Sequence, residues 1–230
     1  MATVLLIRHG RSSANAAGLL AGRAPGVGLD EVGREQAERV AKRLAGVKIA
    51  AAFSSPLQRC VETAAIALAG RPEASVEERL IECDYGEWTS RPLAELASEP
   101  LWATIQATPS RVAFPAGESM AAMSRRASAA VREIDAAVDA EHGPAAVWVA
   151  VTHADIVKAI VADAVGLPLD RFQRLVANPA SVSVVHYGEA DSALLAFNTL
   201  AGPISAYLGA AQPAADVGGG LGAGGQPGPA

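Results

Sequence analysis

Hydrophobic and polar positions along this chain fall into alternating blocks. The run TVLLIR (3–8) is apolar up to its closing arginine, the pattern of a short strand buried on both faces. LDEVGREQAERVAKRLAG (29–46) places Val32, Ala37, Val40, Ala41 and Leu44 on one helical face, with Asp30 as cap and Gly46 as stop. IAAAFSS (49–55) reads as a second buried strand, and Pro56 stands where the first turn of the next helix is expected. A short helix is expected near 92–98, and a long amphipathic one from about 118 to 141, with Met120, Met123, Ala127, Ala130, Ile134 and Val138 inward. AAVWVAVTH (145–153) is the clearest strand and runs into the helix 154–166, closed by Gly166 with Pro168 behind it. SVSVVHYGE (181–189) and ALLAFNTL (193–200), split by a polar turn, read as a hairpin.

Strand and helix alternate, so the expected fold class is α/β: three layers, α/β/α, around a mostly parallel central sheet, with the hairpin as an antiparallel edge. The expected domain is 1–208. From Gly209 to Ala230 the chain is almost only Gly, Ala, Pro and Gln, with Asp216 its one charge, and a disordered tail is expected. GLGAGG (220–225) fits a dinucleotide-binding pattern by letter, but no strand precedes it and no helix follows.

Composition narrows the function classes. The 230 residues suit one domain or at most two, and the net charge of −5 without a basic run argues against nucleic acid. The N-terminal apolar run is too short for a signal segment, and no stretch is long enough to span a membrane. Two cysteines, Cys60 and Cys83, do not make a disulfide framework and read as small apolar fillers. A soluble cytoplasmic protein is expected, with no membrane or nucleic-acid partner.

The chemistry gathers at strand ends. Three expected parallel strands finish in Arg8–His9–Gly10, Ser54–Ser55 and Thr152–His153, and the second leads into a helix carrying Arg59. Ligands of open α/β sheets bind beyond the carboxyl ends of the strands, so two histidines and two arginines can converge there. A lone strand-end histidine is commonly a structural residue, and a lone Arg59 a solvated one; their joint appearance at equivalent ends is the signal. Arginine offers a planar fork of donors suited to phosphate, and neighbouring cations keep an imidazole neutral and nucleophilic. The set suits an oxyanion, phosphate above all.

These segments resemble the histidine phosphatase superfamily, which includes cofactor-dependent phosphoglycerate mutases and many small phosphatases. LLIRHGRSSAN is similar to its R-H-G-x-[ST]-x-x-N signature, and GLDEVGREQAERVAKRL to its L-[ST]-x-x-G-x-x-Q-A helix. FSSPLQRCVETA, LIECDYGEW, FPAGES and VAVTHADIVKAI resemble its following motifs, in family order, from residue 3 to about 200. The resemblance implies His9 as nucleophile, Glu82 as proton donor, and Arg8, Asn15, Arg59 and His153 around the phosphoryl group of a small phosphorylated substrate. No P-loop, H-E-x-x-H or paired-aspartate motif suggests a metal, and no cofactor is expected. Asp84, two residues from Glu82, competes for the acid role, and spacing does not separate them. His142 and His186 match no motif and read as a helix-end and a strand-face residue; Trp88 reads as packing.

The chain departs from the family at four places. Ala154 follows the second histidine where glycine is usual, and Asp30 replaces the usual Ser or Thr cap. Cys83 stands where mutases carry an arginine, and the lysine-free segment 90–117 is shorter than theirs. The expected activity is therefore a metal-independent phosphatase acting on phosphomonoesters, with a phosphoglycerate mutase-type phosphomutase as the alternative. A non-catalytic phosphate-binding module would be expected to lack the nucleophile or the acid, and both are present.

Overall fold

The first apolar run forms β1 (Thr3–Arg8), buried from Val4 onward. The structure is a computed structural model that describes residues 2–202 apart from Gly70 and Glu189. The expected boundary at 208 and the tail 209–230 lie outside the described residues. After β1 come α1 (Ser13–Ala16), α2 (Glu31–Arg43), β2 (Ile49–Ser54), α3 (Gln58–Leu68), β3 (Ser75–Val76), α4 (Leu93–Leu96) and α5 (Pro100–Ala107). The chain continues through α6 (Met120–His142), β4 (Val147–Thr152), α7 (Ala154–Ala164), β5 (Val182–Tyr187) and β6 (Ser192–Thr199).

The six strands stand in the order β3-β2-β4-β1-β5-β6. β1, β2, β3 and β4 run parallel, and β5 and β6 add the antiparallel edge as a hairpin. This is the expected three-layer α/β fold with a mostly parallel sheet. Alternation along β1 and β4 divides the core in two. Val4, Leu6, Trp148 and Ala150 join the core built with α6 and α7. Leu5, Ile7, Val149 and Val151 join the one with residues of α2 and α3. Among the described residues no helix is long and apolar enough to cross a membrane.

Local chemistry sets the helix starts. The Asp30 side chain accepts from Gly33 N–H and caps α2, while Lys42 and Arg43 meet the negative end of its dipole. The Ser119 hydroxyl caps α6 by accepting from Ala122 N–H, and all six residues expected inward on that helix are buried. His142 ends α6, and His186 lies on β5 with its Nδ1 3.1 Å from Thr3 Oγ1.

Three details differ from the pattern-based reading. Pro56 precedes α3 rather than sitting in its first turn, because Ser55 N–H still donates to Val151 O and Leu57 remains extended. β2 is only half-buried, since β3 beside it is just two residues long. α5 was not anticipated; Pro100 opens it at a position where the missing N–H costs nothing.

Candidate active site

The register of the sheet brings the three loaded strand ends together. Arg8 pairs with Thr152 across β1 and β4, and Ser54 pairs with Val151 across β2 and β4. His9, Ser55 and His153 each follow these positions, so they emerge side by side at one edge. His9 N–H donates to Thr152 O, and Ser55 N–H to Val151 O, each at 2.9 Å. The rings of His9 and His153 lie 5.2 Å apart between centroids, edge to face.

Backbone packing fixes the His9 turn. Gly10 N–H donates to Thr63 Oγ1 at 3.0 Å, tying the turn to α3. The start of α2 comes so close that a Cβ on Gly33 would meet Arg11 O at 2.0 Å. The fixed glycine of the helix pattern is therefore an approach of one backbone to another.

Two hydrogen bonds define which nitrogen of His9 carries the proton. Arg59 Nε–H donates to His9 Nε2 at 3.2 Å, and a guanidinium has no acceptor to offer. His9 Nδ1 lies 2.7 Å from Gly10 O, which has no proton to give. Nδ1–H is therefore the donor, and Nε2 keeps its lone pair. The same reasoning sets His153: its Nδ1 accepts from Arg59 Nη2 at 3.2 Å, so Nε2–H donates to Ser55 Oγ at 2.8 Å.

Both arginines are buried and anchored to main-chain oxygens. Arg8 Nη1 donates to Ala177 O at 2.7 Å, and Arg59 Nη2 to Gly22 O at 2.8 Å. Among the described residues Arg59 Nη1 is buried without a hydrogen-bond partner. Such a donor costs about 1–3 kcal/mol unless an oxyanion satisfies it. Burial first, and then the charges of Arg59 and Arg8, hold His9 well below the usual histidine range. Burial, Arg59 and His9 do the same to His153.

Glu82 is 2% exposed, with Oε2 3.9 Å from His153 Nδ1 and Oε1 accepting from Cys83 N–H. Burial, followed by the nearby Asp155 charge, pushes its carboxyl up to about 8. Asp84 turns the other way: it accepts from Gly86 N–H, and its side chain is 40% exposed. Asn15 sits in α1, where its Oδ1 accepts from both N–H and Oγ–H of Ser12. Those bonds orient the side-chain amide. Ala154 opens α7 with its Cβ in the core, so the fold accommodates it without glycine.

Cys60 and Cys83 are free and fully buried, and burial pushes the Cys60 thiol up to about 12. Cys60 Sγ lies 3.4 Å from His153 Nε2 as a neutral neighbour. Trp88 packs against Trp102 and Phe114, as its burial requires.

Sequence reasoning missed a further ring of residues. Asp155 accepts from Tyr85 Oη at 2.8 Å and from Lys158 Nζ at 3.3 Å, all three buried beside the site. An acid in the first turn of α7 looked like an ordinary partner of the helix dipole. Arg23, Glu118 and Arg126 meet around Glu82 from distant segments, a meeting that no spacing announces. Among the described residues no three His, Cys, Asp or Glu side chains gather so as to hold a metal ion.

Known proteins resemble this chain along most of its length. The profile of the histidine phosphatase superfamily (branch 1) matches residues 4–200. Phosphoserine phosphatase 1 of Hydrogenobacter thermophilus is 30% identical over 213 residues, 91% of this chain and 95% of its own. The Proteus mirabilis protein named "Probable phosphoglycerate mutase GpmB" is 32% identical over 191 residues, 81% of this chain and 86% of its own. Bacillus stearothermophilus YhfR, a solved structure, superposes with a TM-score of 0.78 at 28% identity, covering 87% of this chain and 98% of that one. With the family profile spanning nearly the whole described chain and a relative 30% identical over 95% of its own length, the chain belongs to the histidine phosphatase superfamily.

Proposed function

We propose that the protein is a metal-independent phosphatase hydrolysing small phosphomonoesters through a phosphohistidine at His9. The tautomer of His9 carries the reading: Nδ1–H is spent on Gly10 O, so Nε2 presents a lone pair beside Arg59. In the first step His9 Nε2 attacks phosphorus and the bond to the leaving oxygen breaks. Glu82 gives that oxygen its proton. In the second step Glu82 takes a proton from water, which attacks the phosphohistidine; inorganic phosphate leaves and His9 is regenerated.

Arg8, Arg59, His153 and the Asn15 amide stabilise the charge that spreads over the equatorial oxygens, the main demand of phosphoryl transfer. Glu82 rather than Asp84 suits the acid role because it is buried next to His153 and holds its proton near neutrality, whereas Asp84 faces water. Small phosphorylated substrates also fit the relatives, which are named for phosphoserine, phosphoglycerate and glucosyl-3-phosphoglycerate. Hydrolysis is favoured over transfer to a second hydroxyl because position 83 holds a buried neutral thiol where a mutase would place a cation. Two free thiols agree with a cytoplasmic setting.

The test is to trap the intermediate. Brief reaction with a phosphate-labelled monoester in the presence of EDTA is expected to give an acid-labile, base-stable label on the protein. His9→Ala is expected to take up none. Label on another residue, or loss of labelling in EDTA with recovery on adding Mg²⁺, would overturn the reading.

A further inference from the structure

The segment that carries Glu82 is held from three sides by side chains outside the phosphoryl pocket. Arg126, in α6, donates through Nη1 to Arg79 O at 2.7 Å and to Ile81 O at 2.9 Å. The same guanidinium grips Glu118 as a two-pronged fork, Nε to Oε1 at 3.0 Å and Nη2 to Oε2 at 2.8 Å. Arg23 donates through Nε to Glu82 O at 2.8 Å and through Nη2 to Glu118 Oε2 at 3.1 Å. Glu118 in turn reaches Asp84, whose O accepts from Glu118 N–H at 2.8 Å, while Asp84 N–H lies 3.4 Å from Glu118 Oε2.

We propose that Arg23, Glu118 and Arg126 form a bracket that positions the general acid Glu82, with Glu118 as its keystone. The carbonyls of residues 79, 81 and 82 and both main-chain groups of residue 84 end on its three members. The hydrogen bonds of Arg23 and Arg126 end on Glu118 and on main-chain oxygens of the Glu82 segment. The bracket therefore acts mainly by placing Glu82, while the Arg126 charge also reaches His153 at longer range. Glu118 makes it a unit: without its carboxylate, two cations face one another across the acid's loop. The loop at 115–117 adds a backstop, since a Cβ on Gly117 would meet Asp84 O at 2.4 Å. Short charge-assisted bonds of this kind supply the sub-ångström tolerance that proton transfer needs.

The proposal rests on the reading of Glu82 as proton donor, and the two can fail separately. The experiment compares wild type, Glu82→Gln, Glu118→Gln and Arg126→Met on aryl and alkyl phosphates of increasing leaving-group pKa, reading kcat/KM. In the phosphorylation step that kcat/KM reads, a missing acid hurts poor leaving groups most. Glu82→Gln is therefore expected to lower kcat/KM far less on p-nitrophenyl phosphate than on alkyl phosphates, where the loss is about 10²-fold or more. Its kcat is expected to fall on all of them, because hydrolysis of the phosphohistidine loses its base. Glu118→Gln and Arg126→Met are expected to show the same selectivity more weakly, losing on the order of 10-fold on alkyl phosphates alone. A uniform loss across leaving groups, or none, would mean the bracket is only structural. A flat response in Glu82→Gln would instead remove Glu82 from the acid role, and the bracket with it. Should Arg126→Met fail to fold, Glu118→Gln, which keeps the side chain's shape but loses its charge and one of its two acceptor oxygens, decides.

Discussion

Arg59 Nε–H points at His9 Nε2 across 3.2 Å, so the cation that would bind a phosphoryl oxygen already touches the atom that would attack phosphorus. The same guanidinium reaches His153 Nδ1 and Gly22 O. One side chain thus couples nucleophile, second histidine and backbone. Arg59→Ala is expected to lower kcat/KM by about 10²-fold or more, as for loss of an oriented transition-state donor. Arg59→Lys is expected to recover little of this, because an ammonium cannot reproduce the planar fork. Steady-state rates of the two variants, with circular dichroism to confirm folding, check the claim.

The pH dependence follows from the two perturbed groups. In the proposed mechanism the phosphorylation step, which kcat/KM reads, needs His9 neutral and Glu82 protonated. His9 is held well below the usual range, so the acid limb of kcat/KM is expected to lie well under neutrality. Glu82 sits near 8, so activity is expected to fall above that pH, and Glu82→Gln is expected to abolish the alkaline limb. Stability carries the matching sign. A carboxyl whose pKa is raised on folding binds more protons folded than unfolded, so its contribution worsens as pH climbs towards 8. Glu82→Gln is therefore expected to melt higher than wild type at pH 9, and a lower Tm there would contradict the assignment.

Hydrolysis should dominate over transfer. With 2,3-bisphosphoglycerate present to prime His9, phosphate release from small monoesters is expected to exceed any interconversion of 3- and 2-phosphoglycerate. Arg91, one of the two cations in the segment 90–111, is already paired with Glu99. Efficient isomerisation with negligible phosphate release, followed by NMR, would favour the mutase.

Gly33→Ala pits propensity against packing. In an open helix the change would stabilise by about 1 kcal/mol. Here the added Cβ meets Arg11 O at 2.0 Å, a backbone atom that cannot step aside. A net loss of about 1–3 kcal/mol is expected, lowering Tm by several degrees. Thermal melts of the purified variant decide the sign.

What could be read from the chain divides along physical lines. His9, Arg59 and His153 were legible because each lies beside a strand end, and parallel strands carry their ends to one edge. The α6 face was legible because burial repeats with the helical period from Met120 to Val138. The hold of Arg126 on Ile81 O was not: it joins residues 45 positions apart through a main-chain oxygen that has no sequence identity. Asp155 was hidden for a different reason, since its buried partners Tyr85 and Lys158 look individually like core and surface residues.

β4 lies between β1 and β2 in the sheet but is made after both. On the ribosome, the strands that lead into His9 and Ser55 therefore lack the strand that joins them until residues 55–152 have been added. At ordinary synthesis rates that is roughly 5–20 s with open strand edges. A product stopped before Val147 would carry His9 and Arg59 without the strand between theirs, and on the proposed mechanism it is expected to show no phosphatase activity.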